Sequence, residues 1–520
     1  MKKIFNIAGP CHPDKHYMLP PQERCQDLIQ LIEEEQYFVI HAARQSGKTT
    51  LLLELTRQLN DTANYYALYC SLETVQGMVE ANDGIPAIIH VLKSRIKFHH
   101  TLKTFAFAEQ INEADFNVAL MEALTYFCES LDQPLVIFFD EIDCLSNGTL
   151  ISFLRQLRDG YVNRQQIPFV QSMALVGMRN IRDYKGKLRE EPKTLGSASP
   201  FNIVSDSLTL RNFNAAEIAK LYAQHTEATG QVFSPAVIET VYENTQGQPW
   251  LVNAIAREIV VKMLNQDFSQ PIQLEYVNQA IQTLIKRRDT HIDSLMERLK
   301  EARVQRILEP VILGESKRYD LLDDDYQYVL DLGLLRIVNN QLIPANPIYG
   351  EVIIRTLNFR SQQELEDISS LSDIPAYLQN GQLDMKQLLS DVQQFWRNNS
   401  DIWIDQYQYR EAAPHLILQA FLQRVINAQG QVSRELASGT GRLDLCIHYQ
   451  GQHYPIELKL RYGDKTYQEG QQQLADYLDK LGGVEGWLMV FDRRLRVSWK
   501  KKIFWRTQQH AGKTIHIVGC

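Results

Sequence analysis

The sequence predicts a multidomain α/β protein, with a doubly wound parallel sheet in its first half and a second α/β unit near its end. Three observations predict it. "QYFVIHAARQSGKTTLLLELTRQL" runs from an apolar strand through a short polar loop into an amphipathic helix. "QPLVIFFDEIDCL" is an apolar strand that stops on acids. "YPIELKLRY" has strand composition, yet Glu457 and Lys459 stand two apart on it, so both charges point to one face.

Composition sets the outer bounds. The chain has 520 residues, 44% hydrophobic and 22% charged, ordinary globular usage for several domains. A net charge of −8 excludes a broadly basic coat, so any nucleic-acid contact must come from a local groove. The opening apolar run is cut at Gly9 and Pro10, before a signal-peptide core could form, and no run of about 18 apolar residues occurs. The 7 cysteines lack paired spacing, which suits a reducing compartment and neither zinc nor a disulfide frame. The expected location is the cytoplasm, with no membrane partner.

The first strand, loop and helix fit the pattern G-x-x-x-x-G-K-[ST], with Ala42 in place of the first glycine and Gly47, Lys48 and Thr49 at its end. Such a loop curls backbone N–H groups round a β-phosphate, sets a lysine on the β/γ oxygens and a hydroxyl on Mg²⁺. Thr50 follows in the same turn. ATP and Mg²⁺ are therefore the expected cofactors. Asp140 is placed to hold the metal through water, and Glu141 to polarise a water for attack on the γ-phosphate. "NYYALYCSLE" lies between the two motifs and is read as an inserted central strand of a parallel sheet. "MALVGMRNIRDY" ends in Arg179 and Asn180, where P-loop ATPases carry a polar γ-phosphate sensor; Arg179 is the choice.

From "LTLRNFNAAEIAKLYAQHT" to "AIQTLIKRRD" apolar residues recur at three and four, which predicts a lid of short helices. Inside it, "TQGQPWLVNAIAREI" sets Gly247 and Pro249 at a helix start. Here the chain resembles the signal-transducing P-loop ATPases of the STAND and archaeal-ATPase kind, which carry a G-x-P motif in the lid. The resemblance implies that Pro249 packs near adenine and reports nucleotide state. Next come two helical patterns, "LLRIV", the turn pair Asn339-Asn340 and "QLIPA", an order that suits a winged helix. Its second helix is acidic, which favours packing on the ATPase over reading a DNA groove.

"NFRSQQELEDISSLSDIPAYLQNGQLDM" reads as a connector. An amphipathic helix, "EAAPHLILQAFLQRVINAQG", then opens a new domain with strand candidates "QVSRELAS", "GTGRLDLCIHY" and the charged strand. If Gln450-Gly451 is a two-residue hairpin turn, Tyr449 pairs with Gln452, and counting back sets Asp444 opposite Glu457. Two facing carboxylates repel, so a divalent cation between them is expected: Asp444 and Glu457 as oxygen ligands of Mg²⁺ or Mn²⁺, Lys459 beside the attacking water or scissile phosphate. Glu435 and Glu411 are weaker candidates for a further ligand.

"RLDL", "IELKL" and the downstream helix "EGQQQLADYLDKLG" together resemble the PD-(D/E)XK nuclease superfamily, and the helix its RecB-like branch. The resemblance implies that Gln473 and Tyr477 line the nucleic-acid side. "GWLMVFDRR" resembles the strand that follows. The whole chain thus resembles bacterial AAA-like ATPases fused to a C-terminal PD-(D/E)XK domain. The expected domains are an ATPase core at 1–208, a helical lid at 209–288, a winged helix at 289–358, a linker at 359–405 and a nuclease-like domain at 406–520. The expected function is phosphodiester cleavage under nucleotide control, on DNA before RNA, with homo-oligomers allowed. The rival is a nucleotide-switched binding protein whose nuclease fold does not cut. A translocating helicase is disfavoured, since one P-loop is visible and no tandem motor follows.

Overall fold

The computed structural model describes residues 3–25, 27–107, 112, 114–178, 203–287, 290–312, 323–350, 352–353, 378–379, 382–406, 418, 422, 430–436, 443–449, 452–461, 465–492, 494 and 497–520. The chain divides into two compact units, Met1–His291 with Asp320–Leu335, and Ile292–Tyr319 with Arg336–Cys520.

In the first unit β1 (Tyr37–His41), β2 (Tyr66–Ser71), β3 (Leu135–Asp140), β4 (Ser172–Gly177) and β5 (Val204–Thr209) form a sheet of order β2-β3-β4-β1-β5, every pair parallel. β3 and β4 are buried along their whole length, as an unbroken apolar run requires of a strand covered on both faces. Alternate residues serve opposite layers. Tyr37, Val39, Ile137, Phe139 and Leu175 pack with helices Ala81–Phe98, Ala119–Ser130 and Asn147–Asn163. Phe38, Ile40, Phe138 and Val176 pack with Leu51, Leu52, Leu55 and Leu59 of helix Lys48–Thr62. The sheet is therefore doubly wound, as expected.

One sequence reading needs correcting. The strand from "NYYALYCSLE" is β2, and it lies at the sheet edge; the strand inserted between β1 and β3 is β4. Position in sequence does not give position in a sheet whose crossovers pass over helices. Half-burial of β2 agrees with an edge.

The segment expected to form a lid holds helices Ala215–Thr229, Pro235–Thr245, Pro249–Arg257, which runs into a π-helical turn at Glu258–Met263, and Leu274–Arg287. Its first helix starts in a capping box: Asn214 accepts from the Glu217 N–H at 2.8 Å, and the Glu217 carboxylate accepts from the Asn214 N–H at 2.8 Å. The N-terminal segment lies on the lid. Phe5 sits among Tyr17, Tyr222, His225 and Phe233, the Arg257 guanidinium donates to the Phe5 carbonyl at 3.2 Å, and the Trp250 indole donates to the Ile7 carbonyl at 2.9 Å.

Helices Thr290–Arg298, Ala302–Ile312 and Asp324–Asp331 follow, then a hairpin of β6 (Leu335–Val338) and β7 (Gln341–Pro344). Its turn is the expected Asn339-Asn340, at φ 48° and 62°, the left-handed conformation that asparagine tolerates.

After a short hairpin of β8 (Leu378–Gln379) and β9 (Gln382–Leu383), the second unit holds a sheet of β10 (Gly430–Leu436), β11 (Leu443–Tyr449), β12 (Gln452–Arg461), β13 (Glu485–Asp492), β14 (Phe504–His510) and β15 (Lys513–Gly519), in order β10-β11-β12-β13-β15-β14. β12, β13 and β15 are mutually parallel and the other pairs antiparallel. Helix Lys465–Leu481 crosses between β12 and β13 and packs Leu474 and Leu478 on Leu488, Val490, Ile515 and Ile517. On the other face helix Met385–Gln406, within the stretch read as connector, buries Leu388, Leu389, Val392 and Trp396 against Ile456, Leu458, Met489 and Phe491. Of the helix expected to open this domain, Leu418 and Leu422 join that core; Glu411 lies outside the described residues.

Gly247 is where the lid tolerates least change. Its φ is +70°, and a Cβ there would meet the Phe213 carbonyl oxygen at 1.7 Å, where Phe213 N–H donates to the Gly247 carbonyl at 2.9 Å. Gly247→Ala is expected to cost more than ~1 kcal/mol, since both backbone and neighbour must shift. Thermal unfolding of the variant beside wild type measures it.

Candidate functional site

The loop after β1 turns tightly because Gln45 and Gly47 take φ of 57° and 96°, and helix Lys48–Thr62 begins directly after Gly47. Lys48 is buried, and its ammonium donates to the carbonyls of Ala42 at 2.9 Å and Ala43 at 3.1 Å. Burial lowers its pKa, while the charges of Glu141, Asp140 and Asp143 act to restore it. Ala42, which stands where the pattern has glycine, donates its N–H to the Gly177 carbonyl at 3.3 Å.

The end of β3 meets the start of this helix. Thr49 Oγ1 donates to Asp140 Oδ2 at 2.8 Å, Tyr69 OH donates to the same oxygen at 3.0 Å, and Asp140 Oδ1 accepts from the Glu141 N–H at 2.9 Å. Glu141 sits in the left-handed region at φ 57°. Burial, and then the neighbouring Asp140 charge, push its carboxyl above the usual range despite Lys48. A buried ammonium on a loop of backbone groups, with a hydroxyl and a carboxylate in contact beside it, fits a nucleotide's phosphates and a hard divalent cation. Arg179 and Asn180 lie outside the described residues.

The lid reaches the loop directly. Gln248 caps helix Pro249–Arg257 by accepting from the Leu251 N–H at 2.7 Å, and its amide donates to the Gln45 carbonyl at 3.4 Å. Pro249 is buried as the first residue of that helix. Thr50 turns outward from the loop and accepts from the Cys11 N–H at 3.0 Å, which ties the N-terminal segment to the site.

Sequence reasoning missed three residues here. Arg24 is buried, donates to the carbonyls of Ser46 at 3.1 Å and Arg211 at 2.9 Å, and lies 4.7 Å from the Phe213 ring; burial lowers its pKa to about 10. Tyr69 holds Asp140. Asp143 accepts from the Met178 N–H, and Gly177 leaves it room, since a Cβ there would meet its Oδ2 at 2.6 Å. The third acid of "DEIDCL", Asp143, was the one visible signal; the others depend on long-range packing.

In the second unit the hairpin register is the expected one from Tyr449 on Gln452 to Leu445 on Ile456, where the pairing ends, one residue short of Asp444 and Glu457. Asp444 pairs with Glu435 across β10. The side chains of Asp444 and Glu435 lie outside the described residues. Glu457 is buried and its carboxylate is held by the Lys459 ammonium. Both lie on the face that helix Lys465–Leu481 covers, for a Cβ at Gly470 would stand 3.1 Å from Lys459 Cγ. Gln473 and Tyr477 are on that helix, Tyr477 buried and Gln473 half-buried. A buried carboxylate beside an amine fits a divalent cation if Asp444 joins it. Among the described residues no group of three His, Cys, Asp or Glu gathers as a metal cluster.

The family described as "AAA-like domain" matches residues 10–353, more than half of the chain, and the chain belongs to that family. No curated protein matches it. Among solved structures it is similar to a Walker-type ATPase of Pyrococcus abyssi, with 15% identity, 67% of this chain and 99% of that one covered and a TM-score of 0.46. It is also similar to Cdc6p from Pyrobaculum aerophilum, with 13% identity, 68% and 97% covered and a TM-score of 0.38. A third is Thermotoga maritima RuvB, titled a Holliday junction branch migration motor, with 17% identity, 61% and 88% covered and a TM-score of 0.32. No helix among the described residues is long and apolar enough to cross a membrane.

Because Gly177 makes room for Asp143, Gly177→Ala is expected to lower stability by about 1–3 kcal/mol through overpacking. In the double variant with Asp143→Ala the clash is gone, so the two losses should add to less than their sum. Denaturant unfolding of the two single variants and the double variant measures the coupling.

Proposed function

We propose that this AAA-like protein binds and hydrolyses ATP with Mg²⁺ at the Lys48 loop, and that nucleotide state governs a metal-dependent nuclease site in its second unit. The observation that carries the first part is the buried Lys48 ammonium on its own loop carbonyls, beside the Thr49–Asp140 contact. Lys48 exchanges those carbonyls for phosphate oxygens. Thr49 and Asp140 would hold Mg²⁺, which supplies charge neutralisation on the phosphates. Glu141, its proton affinity raised by burial, orients and deprotonates the attacking water. Arg179 is assigned to sensing the γ-phosphate. The Gln248–Gln45 contact supports a lid that follows the loop, with Pro249 on the adenine side and Thr50 tying in the N-terminal segment. Helices 290–331 with the β6–β7 hairpin are assigned to a winged helix.

For the second unit the reading rests on the resemblance in order and kind: the β11–β12 hairpin, Glu457 and Lys459 on one face of β12, and the crossover helix with Gln473 and Tyr477. Asp444 and Glu457 would hold Mg²⁺ or Mn²⁺, and the metal supplies an activated water. Lys459 stabilises the phosphate charge, and Gln473 and Tyr477 position the strand, DNA before RNA. One observation favours a second reading, a nucleotide-switched binding protein: the Lys459–Glu457 ion pair balances both charges with no metal at all.

Three measurements decide. Lys48→Ala should lose the rise in Tm that Mg²⁺-ATP gives wild type by linkage. Equal shifts in both proteins would remove the phosphate-loop assignment. Glu141→Gln should retain nucleotide and slow turnover by about 10²–10⁴-fold. Since the base must be deprotonated and its pKa is raised, wild-type turnover should fall on acidification at a pH above the ordinary glutamate range. The variant should lack that limb. Finally, Mn²⁺ or Mg²⁺ should stabilise Lys48→Ala protein, an effect erased by adding Asp444→Ala, whereas Lys459→Ala keeps the metal shift but cuts at least ~10²-fold more slowly. A chain that cuts nothing and ignores metal is the binding protein.

A further inference from the structure

Beyond Lys459 the same face of β12 carries one more charge, and it meets others. Glu457, Lys459 and Arg461 alternate to one side, successive members roughly 7 Å apart along the strand. Arg461 ends β12 and pairs in register with Asp492, which ends the parallel strand β13. Asp492 is buried. Burial acts to raise its pKa, but hydrogen bonds from Arg494 and the charges of Arg494 and Arg461 hold it below the usual carboxylate range. Arg494 grips both carboxylate oxygens, Nη2 to Oδ2 at 2.6 Å and Nε to Oδ1 at 2.9 Å, and Arg461 stands 3.7 Å from Oδ2.

Arg461 is also fixed from the helix side. Its Nη1 donates to Tyr467 OH at 2.7 Å and its guanidinium lies 4.5 Å from the Tyr467 ring centre. Tyr467 in turn meets Phe504 at 6.2 Å, and Arg506 lies 4.9 Å from the Phe504 ring. Among the described residues, the charges that act on the Tyr467 hydroxyl are three guanidiniums, Arg461, Arg494 and Arg506, against the one carboxylate of Asp492. In a protein whose net charge is −8 this local surplus is against the trend. It also stands at the carboxyl ends of adjacent parallel strands, the usual mouth of an α/β sheet for a ligand.

We propose that Arg461, Arg494 and Arg506, braced on Asp492 and Tyr467, form a clamp for the phosphodiester backbone of a nucleic-acid strand that enters beside the Glu457–Lys459 face. Guanidinium groups recognise phosphate through two parallel N–H donors, and a fork already held in place loses less freedom on binding than a mobile one. The aromatic pair Tyr467 and Phe504 stiffens two of the arms. Arg506 is exposed and gives the clamp its outer contact.

The clamp rests on the nucleic-acid part of the reading above but not on cleavage, so the test is made in EDTA. Full-length protein is titrated into fluorescein-labelled single-stranded and duplex DNA, and anisotropy is followed from about 50 to 200 mM salt. Arg461→Ala is expected to weaken binding roughly tenfold or more and to lower the salt slope by about one, as for loss of one phosphate contact. Arg461→Lys should recover the slope and only part of the affinity. Arg506→Ala, on an exposed strand position, should act in the same direction with unchanged thermal unfolding, which separates lost binding from lost folding. Wild-type affinity and slope in both alanine variants overturn the clamp. Displacement of the strand by inorganic phosphate or ATP at equal phosphate concentration also overturns it, assigning the cluster to a small anion. Cleavage is scored separately with Mg²⁺: protein that binds through Arg461 and cuts nothing keeps the clamp and loses the nuclease, whereas cutting with an unaffected Arg461→Ala keeps the nuclease and loses the clamp.

Discussion

Everything in the first unit turns on one buried positive charge. Removing an ammonium from water costs several kcal/mol even after relaxation, and two loop carbonyls with the charges of Glu141, Asp140 and Asp143 offset part of that cost for Lys48. The constraint reaches into topology. Lys48 starts the helix after β1, but Asp140 ends β3 with Glu141 directly after it, and β4 lies between those strands. Across two strand spacings, roughly 10 Å, side chains must bridge what the backbone cannot. Thr49 does so by contacting Asp140, while β4 gives way at its end: Gly177 has no Cβ, and Asp143 takes the space.

That dependence explains which features were legible in the sequence. A glycine-lysine-threonine turn between an apolar strand and an amphipathic helix is local, and so is an apolar run closing on Asp140; both could be read because the chemistry and the backbone geometry lie within a few residues. The register of the β11–β12 hairpin was also legible, since a two-residue turn fixes every pair behind it. What could not be read was set by distant partners. β2 and β4 are both short apolar strands, and nothing in either one says which lies at the edge. Arg24 resembles any arginine near a helix start until Ser46 and Arg211 present their carbonyls to it. Helix Met385–Gln406 is polar enough on one face to pass for connector, and only the sheet it covers makes its leucines a core.

The lid shows how little contact suffices to couple two parts of one unit. Gln248 both caps its own helix and reaches the Gln45 carbonyl, so the helix start and the loop cannot move independently without losing a hydrogen bond. Gly247 secures the same point from behind, against Phe213, and Phe213 packs under the buried Arg24 that props the loop. The N-terminal segment closes the circuit, from Thr50 on the loop side through Cys11 to Ile7 and the Trp250 indole. Loop, helix start and N-terminal segment are thus joined by a chain of polar contacts within one unit.

In the second unit the order of charges along one strand face gives a direction. Glu457 is the most buried, Lys459 covers it, and Arg461 ends the strand against Asp492 and Tyr467. The covering helix approaches closely at Gly470, where a side chain would strike Leu488 and the Lys459 stem, so the lysine has little room except along the strand. An anion that comes from the carboxyl ends of β12 and β13 therefore meets guanidinium first, ammonium second and carboxylate last. The other end of the row adjoins β11, whose Leu445 pairs with Ile456 next to Glu457.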